Sequence, residues 1–223
     1  MPRESTVYVV DDDPGILKSM RWLIESARLP VKTFDSGATF LECYDSDDPG
    51  CLILDMQMPG MKGLEVQRRL AELCARLPII VMTAHADVPV CIESFKSGVF
   101  DFIEKPADDG LLLARIRQAL ALDQENRRLD GARHALAARL SELSPRERQV
   151  MHLVADGRNL KQIALGLDIS IQTAAKHRAR MLEKIGADND VELARMVTQA
   201  GAMQATFVQL ASLPTPTPIA GSL

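Results

Sequence analysis

The chain has 223 residues, 47% hydrophobic and 25% charged, which suffices for a sound core and suits two domains better than one. The net charge of -4 is uneven: residues 1–121 carry 13 basic and 19 acidic side chains, residues 144–201 carry 9 and 7. An acidic first part and a mildly basic second part point to polyanion binding by the latter. No apolar run approaches the roughly 20 residues that a bilayer span needs, and no basic segment followed by an apolar one opens the chain, so secretion and a membrane partner are both disfavoured. Cys43, Cys51, Cys74 and Cys91 lack metal-ligand spacing, and the expected compartment is the reducing cytoplasm.

The first half alternates short apolar strands with amphipathic helices. Val7–Val10 runs into Asp11, Asp12 and Asp13, then Pro14 takes a first helical position, and Ile16, Leu17, Met20, Leu23, Ile24 and Ala27 form a one-sided stripe. The cycle repeats with strand 31–34 and helix 36–44, strand 51–55 and helix 63–75, strand 78–83 and helix 87–97, then strand 99–105 and a helix from about Asp108. Five such units predict an α/β fold with a doubly wound, five-stranded parallel sheet, whose ligand site lies beyond the strand C-termini.

The helix is expected to run on through a linker at 122–143, where Leu122, Leu129, Leu136 and Leu143 recur every seven residues. That spacing suits a coiled-coil seam. Asn126 and Arg133 are polar at the companion positions, however, and Gly131 is expected to interrupt, which favours a connector packing on its own domains. Ser144-Pro145-Arg146-Glu147 has the makings of a capping box and opens a second, all-α domain of four helices, 145–155, 160–167, 171–185 and about 189–201. The tail at 202–223 lacks a core-forming pattern and is expected to be disordered.

Parallel strands present their C-terminal ends to one face, so Asp11, Asp12, Asp55, Thr83 and Lys105 should converge there. Phosphoryl transfer to a carboxylate needs a cation for the developing charge, a nucleophilic oxygen, and donors for the remaining oxygens. Asp55, alone on its strand end, is the candidate nucleophile. Asp11 and Asp12 would hold Mg²⁺, with the Gln57 backbone carbonyl as a further ligand, and Thr83 and Lys105 would grip the phosphoryl oxygens.

Through VVDDD, LILDMQMPGMKGLEV, IIVMTAH and GVFDFIEKP, the first 120 or so residues resemble the receiver domain of two-component response regulators, a fold of the flavodoxin-like kind. The resemblance implies phosphorylation of Asp55 by a histidine kinase, a metal site of Asp11, Asp12, Asp55 and Gln57, and a joint conformational switch of Thr83 and Phe102. It also implies a cis peptide before Pro106. Val99 departs from the alanine common at that position, which bears on the surface around helix 87–97 and strand 99–105.

A short helix, a tight turn and a longer basic helix are the parts of a helix-turn-helix. In 171–185, Ala174, Met181, Leu182 and Ile185 form the inward stripe. LSPRERQVMHLVADG, IALGLDIS and TAAKHRARMLEKIG resemble the LuxR-type DNA-binding domain, and with the receiver the chain is similar to response regulators of the FixJ and NarL kind. Gln172 and Lys176 are the candidates for base readout, with Ala175 and Ala179 for thymine methyls, and Thr173 is a further candidate for DNA contact. Arg178, Arg180 and Lys184 are the candidates for phosphate contact, and His177 reads as a packed or capping residue.

These features predict a transcription factor controlled by phosphorylation and binding double-stranded DNA, homodimeric when phosphorylated, with RNA polymerase a further candidate partner. A turnover phosphatase is disfavoured because Gln57 stands where such enzymes place a second acid, so phosphotransfer should stop at Asp55. A flavin module would set the acids against the cofactor's phosphate. Constitutive DNA binding with a vestigial receiver sits poorly with the intact set of five residues.

Overall fold

The computed structural model describes residues 3–73, 75–83 and 99–199. The expected helix at 87–97, Cys74, Cys91, Gly201 and the tail lie outside the described residues. The chain divides into two compact units between Arg127 and Arg128.

In the first unit, strands β1 (Thr6–Val10), β2 (Val31–Phe34), β3 (Gly50–Asp55), β4 (Ile79–Thr83) and β5 (Asp101–Glu104) form one parallel sheet in the order β2-β1-β3-β4-β5. The strands read as continuous apolar runs because both sheet faces are covered. Alternate residues serve opposite faces: Tyr8, Leu52, Leu54 and Val81 pack with Phe40 and Val66, while Val7, Val9, Ile53 and Ile80 pack with Ile24, Leu112 and Ile116. The covering helices are α1 (Pro14–Ser26), α2 (Gly37–Cys43), α3 (Gly63–Glu72) and the start of α4 (Asp109–Ser141). The order reverses between β1 and β3, the point at which this topology opens a crevice for a ligand. The Lys105–Pro106 peptide is cis, as expected.

Helix α4 corrects one expectation. It is continuous over 33 residues, so Gly131 does not interrupt it. A lone helical glycine costs only about 1 kcal/mol against alanine, and packing at both ends of α4 outweighs that. The helix runs on from the first unit into 122–143. Residues up to Arg127 belong to the first unit, whereas Leu136 and Leu143 are 3% and 5% exposed in the core of the second. Leu122, at 41% exposed, shares no such role, and the four leucines therefore line no common buried seam within the chain.

Asp123 and Arg127 fasten α4 to the sheet. The carboxylate of Asp123 is fully buried and accepts from Gly50 N, at the start of β3, at 2.9 Å. The Arg127 guanidinium donates to both Asp123 oxygens and to the carbonyls of Ser46, Asp47 and Asp48.

The second unit packs α5 (Pro145–Ala155), α6 (Leu160–Leu167), α7 (Ile171–Ile185) and α8 (Asp190–Gln199) with the last turns of α4. Local chemistry sets each boundary. Ser144 and Glu147 complete the expected capping box, Asn159 and Gln162 form another, Ser170 caps α7, and Gly186 ends it at φ 74°. The Glu147 carboxylate also accepts from Lys184 Nζ at 2.7 Å. The Lys184 ammonium and the Ser144 backbone N–H hold its pKa down at about 2, against an ordinary 4.5.

A depressed carboxyl contributes stability that is complete above its unfolded value and is lost as pH falls through its folded one. The helical unit should therefore lose stability from about 4.5 down to about 2. Glu147→Gln should be less stable at neutral pH and lack that part of the acid titration. Urea unfolding followed by circular dichroism across this range checks the point, and coincident acid profiles for the two chains would refute it.

Candidate phosphoacceptor site and helix-turn-helix face

The acid triplet after β1 divides its labour. Asp13 caps α1, its Oδ1 accepting from Gly15 N at 2.7 Å and Ile16 N at 3.4 Å. Asp11 and Asp12 are left to face Asp55, and oxygens of all three lie within 4.8 Å of one another. Asp11 and Asp55 are buried, at 3% and 7% exposed, and Asp12 is open to solvent. Carboxylates this close repel unless cations intervene. Lys105, following β5, supplies one: its Nζ is 2.6 Å from Asp11 Oδ2 and 3.3 Å from Asp55 Oδ2. Three acids against one ammonium leave a negative, partly buried, all-oxygen pocket, and that donor set fits a hard divalent ion such as Mg²⁺. Buried Thr83 ends β4, and half-buried Phe102 in β5 packs against the core around Tyr8 and Val81. The N–H of Gln57 donates to Asp55 Oδ1 at 3.4 Å, which holds the loop after β3 against that carboxylate. Of the seven receiver candidates, Asp11, Asp12, Asp55 and Lys105 are brought together, Gln57 follows the end of β3, Thr83 stands at the end of β4, and Phe102 lies within β5.

On α7, Ala174, Met181, Leu182 and Ile185 are buried as expected, whereas Gln172, Thr173, Lys176, Ala179 and Arg180 are exposed. His177 is half-buried, in keeping with a packed residue. Two expected phosphate contacts have other commitments. Arg178 forms an ion pair with Asp190 at 2.9 Å, and Lys184 donates to Glu147 and to the Glu142 carbonyl. Both ends of these pairs lie in the same unit, so the two cations brace helices against each other.

Comparison with known proteins agrees with both halves. Residues 7–117 match the response regulator receiver domain, and residues 141–197 match the bacterial regulatory proteins of the luxR family. The transcriptional regulatory protein FixJ of Azorhizobium caulinodans is 40% identical over 201 residues, covering 90% of this chain and 95% of that protein. The response regulator protein TmoT of Ectopseudomonas mendocina is 40% identical, covering 87% of this chain and 88% of its own length.

The chain is a response regulator.

Its fold agrees with that of solved relatives. The response regulator StyR is 38% identical with a TM-score of 0.79, covering 88% of this chain and 99% of that one. Full-length FixJ from B. japonicum is 36% identical with a TM-score of 0.55, covering 90% and 98%.

Sequence reasoning missed one residue of this response regulator's candidate acceptor site. Gly63 opens α3 where a Cβ would stand 2.6 Å from the Asp55 carbonyl oxygen and 2.9 Å from Met56 Cα. Both neighbours are backbone, so no rotamer change relieves the clash. Its signal was the MPGMKG stretch, in which the glycine after Lys62 follows a turn and starts a helix. Gly63→Ala should lower stability by about 1–3 kcal/mol and slow phosphate uptake by displacing the Asp55 backbone. Urea midpoints and uptake rates indistinguishable from wild type would show that the loop yields without cost.

Proposed function

We propose that Asp55 receives a phosphoryl group from a phosphohistidine of a partner kinase, and that this controls transcription through the luxR-type unit. The arrangement that carries the proposal is Lys105 held between Asp11 and Asp55, with Asp12 alongside. In the transfer, an Asp55 carboxylate oxygen bonds to phosphorus while the P–N bond breaks and the histidine nitrogen keeps the electron pair. Asp11, Asp12 and Asp55, with the Gln57 carbonyl, would hold Mg²⁺, which when bound neutralises charge on the transferring group. Lys105 is placed to follow the new phosphoryl oxygens, leaving Asp11. Thr83 donates its hydroxyl to another oxygen, and Phe102 repacks with it. Gln57, two residues after Asp55, stands where turnover phosphatases place a second acid, so the transfer ends at the acyl phosphate.

Gln172, Thr173 and Lys176 then read base edges, Arg180 contacts phosphate, and Arg178 and Lys184 serve chiefly as braces. Phosphorylation promotes a homodimer that sets two α7 helices on paired half-sites, with RNA polymerase a further partner in the cytoplasm. The test begins with DNA selected from a random pool by the phosphorylated chain, then compares affinity with and without acetyl phosphate. Phosphorylation should tighten binding by about tenfold. Equal affinities would leave a DNA-binding protein with a silent receiver.

A further inference from the structure

The luxR-family match begins at residue 141, yet the core of the second unit begins earlier, with Leu136 buried and Leu140 packed against the same cluster. From the same turns of α4, Arg139 Nη1 donates to the Ile185 carbonyl, the last of α7, at 2.9 Å. The final carbonyls of a helix lack partners within it, and a cation there also meets the negative end of the helix dipole. Gly186 leaves room for this contact, since a Cβ on it would lie 3.0 Å from Arg139 Nη1. Lys184 makes the return contact, from α7 to the Glu142 carbonyl at 3.1 Å. Two cations reaching in opposite directions thus fasten the C-terminal end of α7 to the end of α4. The exposed Gln172, Thr173 and Lys176 lie at the other end of the 15-residue helix. A tilt of about 5° about the fastened end of a helix roughly 22 Å long moves the far end by about 2 Å. That is enough to make or break a hydrogen bond to a base.

We infer that Arg139 is a positioning residue for DNA readout: by capping α7 from α4 it sets the angle at which Gln172, Thr173 and Lys176 meet the base edges. The inference rests on the DNA-binding function proposed above and adds a determinant of specificity outside the helix-turn-helix. The full-length chain, Arg139→Met and Arg139→Lys are compared on the selected operator and on an unrelated duplex, over a range of salt and at a temperature where circular dichroism shows all three folded. Arg139→Met should weaken operator binding by about tenfold and leave binding to the unrelated duplex within about twofold, since losing a charged hydrogen bond disturbs orientation and not phosphate attraction. The salt slope should not change, and Arg139→Lys should recover most of the operator affinity. Where Arg139→Met does not fold, Arg139→Gln, which keeps a donor without the charge, takes its place. Operator affinity within about twofold of wild type overturns the inference, as does equal loss on both duplexes with a salt slope smaller by about one, the mark of a phosphate contact. A wild-type chain that selects no sequence overturns this inference and the function together.

Discussion

An Asp55→Asn chain should take up no measurable phosphate from acetyl phosphate, a fall of about a thousandfold or more, because a carboxamide oxygen is too weak a nucleophile to replace a carboxylate. The fold should survive the change. Asparagine has the shape of aspartate, and Asp55 sits among Asp11, Asp12 and Lys105, where three negative groups face one positive group. Removing one of the three relieves repulsion, so the thermal midpoint should hold or rise by a few degrees. Lys105 retains its 2.6 Å partner Asp11 and is not stranded. Phosphorylation by mass spectrometry and melting by circular dichroism, taken together, decide the matter. Undiminished incorporation would move the acceptor to another acid, and loss of both uptake and fold would show Asp55 to be structural first.

Asp123→Ala should cost about 3–5 kcal/mol of stability, although the residue lies away from Asp55. Two groups lose their partner at once. Gly50 N is left without its acceptor at the start of β3, and the Arg127 guanidinium loses a carboxylate that it contacts with both oxygens at 3.0 Å. The start of β3 lies close against β1 at this point: a Cβ on Gly50 would stand 2.0 Å from the Thr6 carbonyl oxygen. Arg127→Ala should cost about as much, about 3–5 kcal/mol, because it leaves the fully buried Asp123 carboxylate without its cation. Urea midpoints of the two variants and of the double variant test this: the double variant should be little worse than either single one, and additive losses would mean that the two residues act separately.

Asp123 and Arg127 also show where reading the sequence stopped. The βα rhythm, the strand-end acids and the capping box at Ser144 follow from chemistry within a few residues, and they were legible for that reason. The partition of Asp11, Asp12 and Asp13 into two that face Asp55 and one that caps α1 depends on which carboxylate lies over Gly15 N, and three adjacent letters do not contain that. Lys184 and Glu147 lie 37 positions apart, and Asp123 and Gly50 lie 73 apart. On a basic helix, Lys184 looks the same as Lys176 until α5 is packed beside it. Gly131 misled for the opposite reason, because a local preference for ending a helix was outweighed by packing on either side of it.

One helix, α4, completes two hydrophobic interiors: Leu112, Ile116 and Ala119 fill one, and Leu136 and Leu140 reach into the other. Dividing the gene for separate expression therefore needs care about where the cut falls. An N-terminal fragment that stops at residue 121 would discard Asp123 and Arg127, and a C-terminal fragment that starts at 144 would lose the leucines beneath its own helices. Only the short stretch between them, 128–135, can be severed without opening either interior to water.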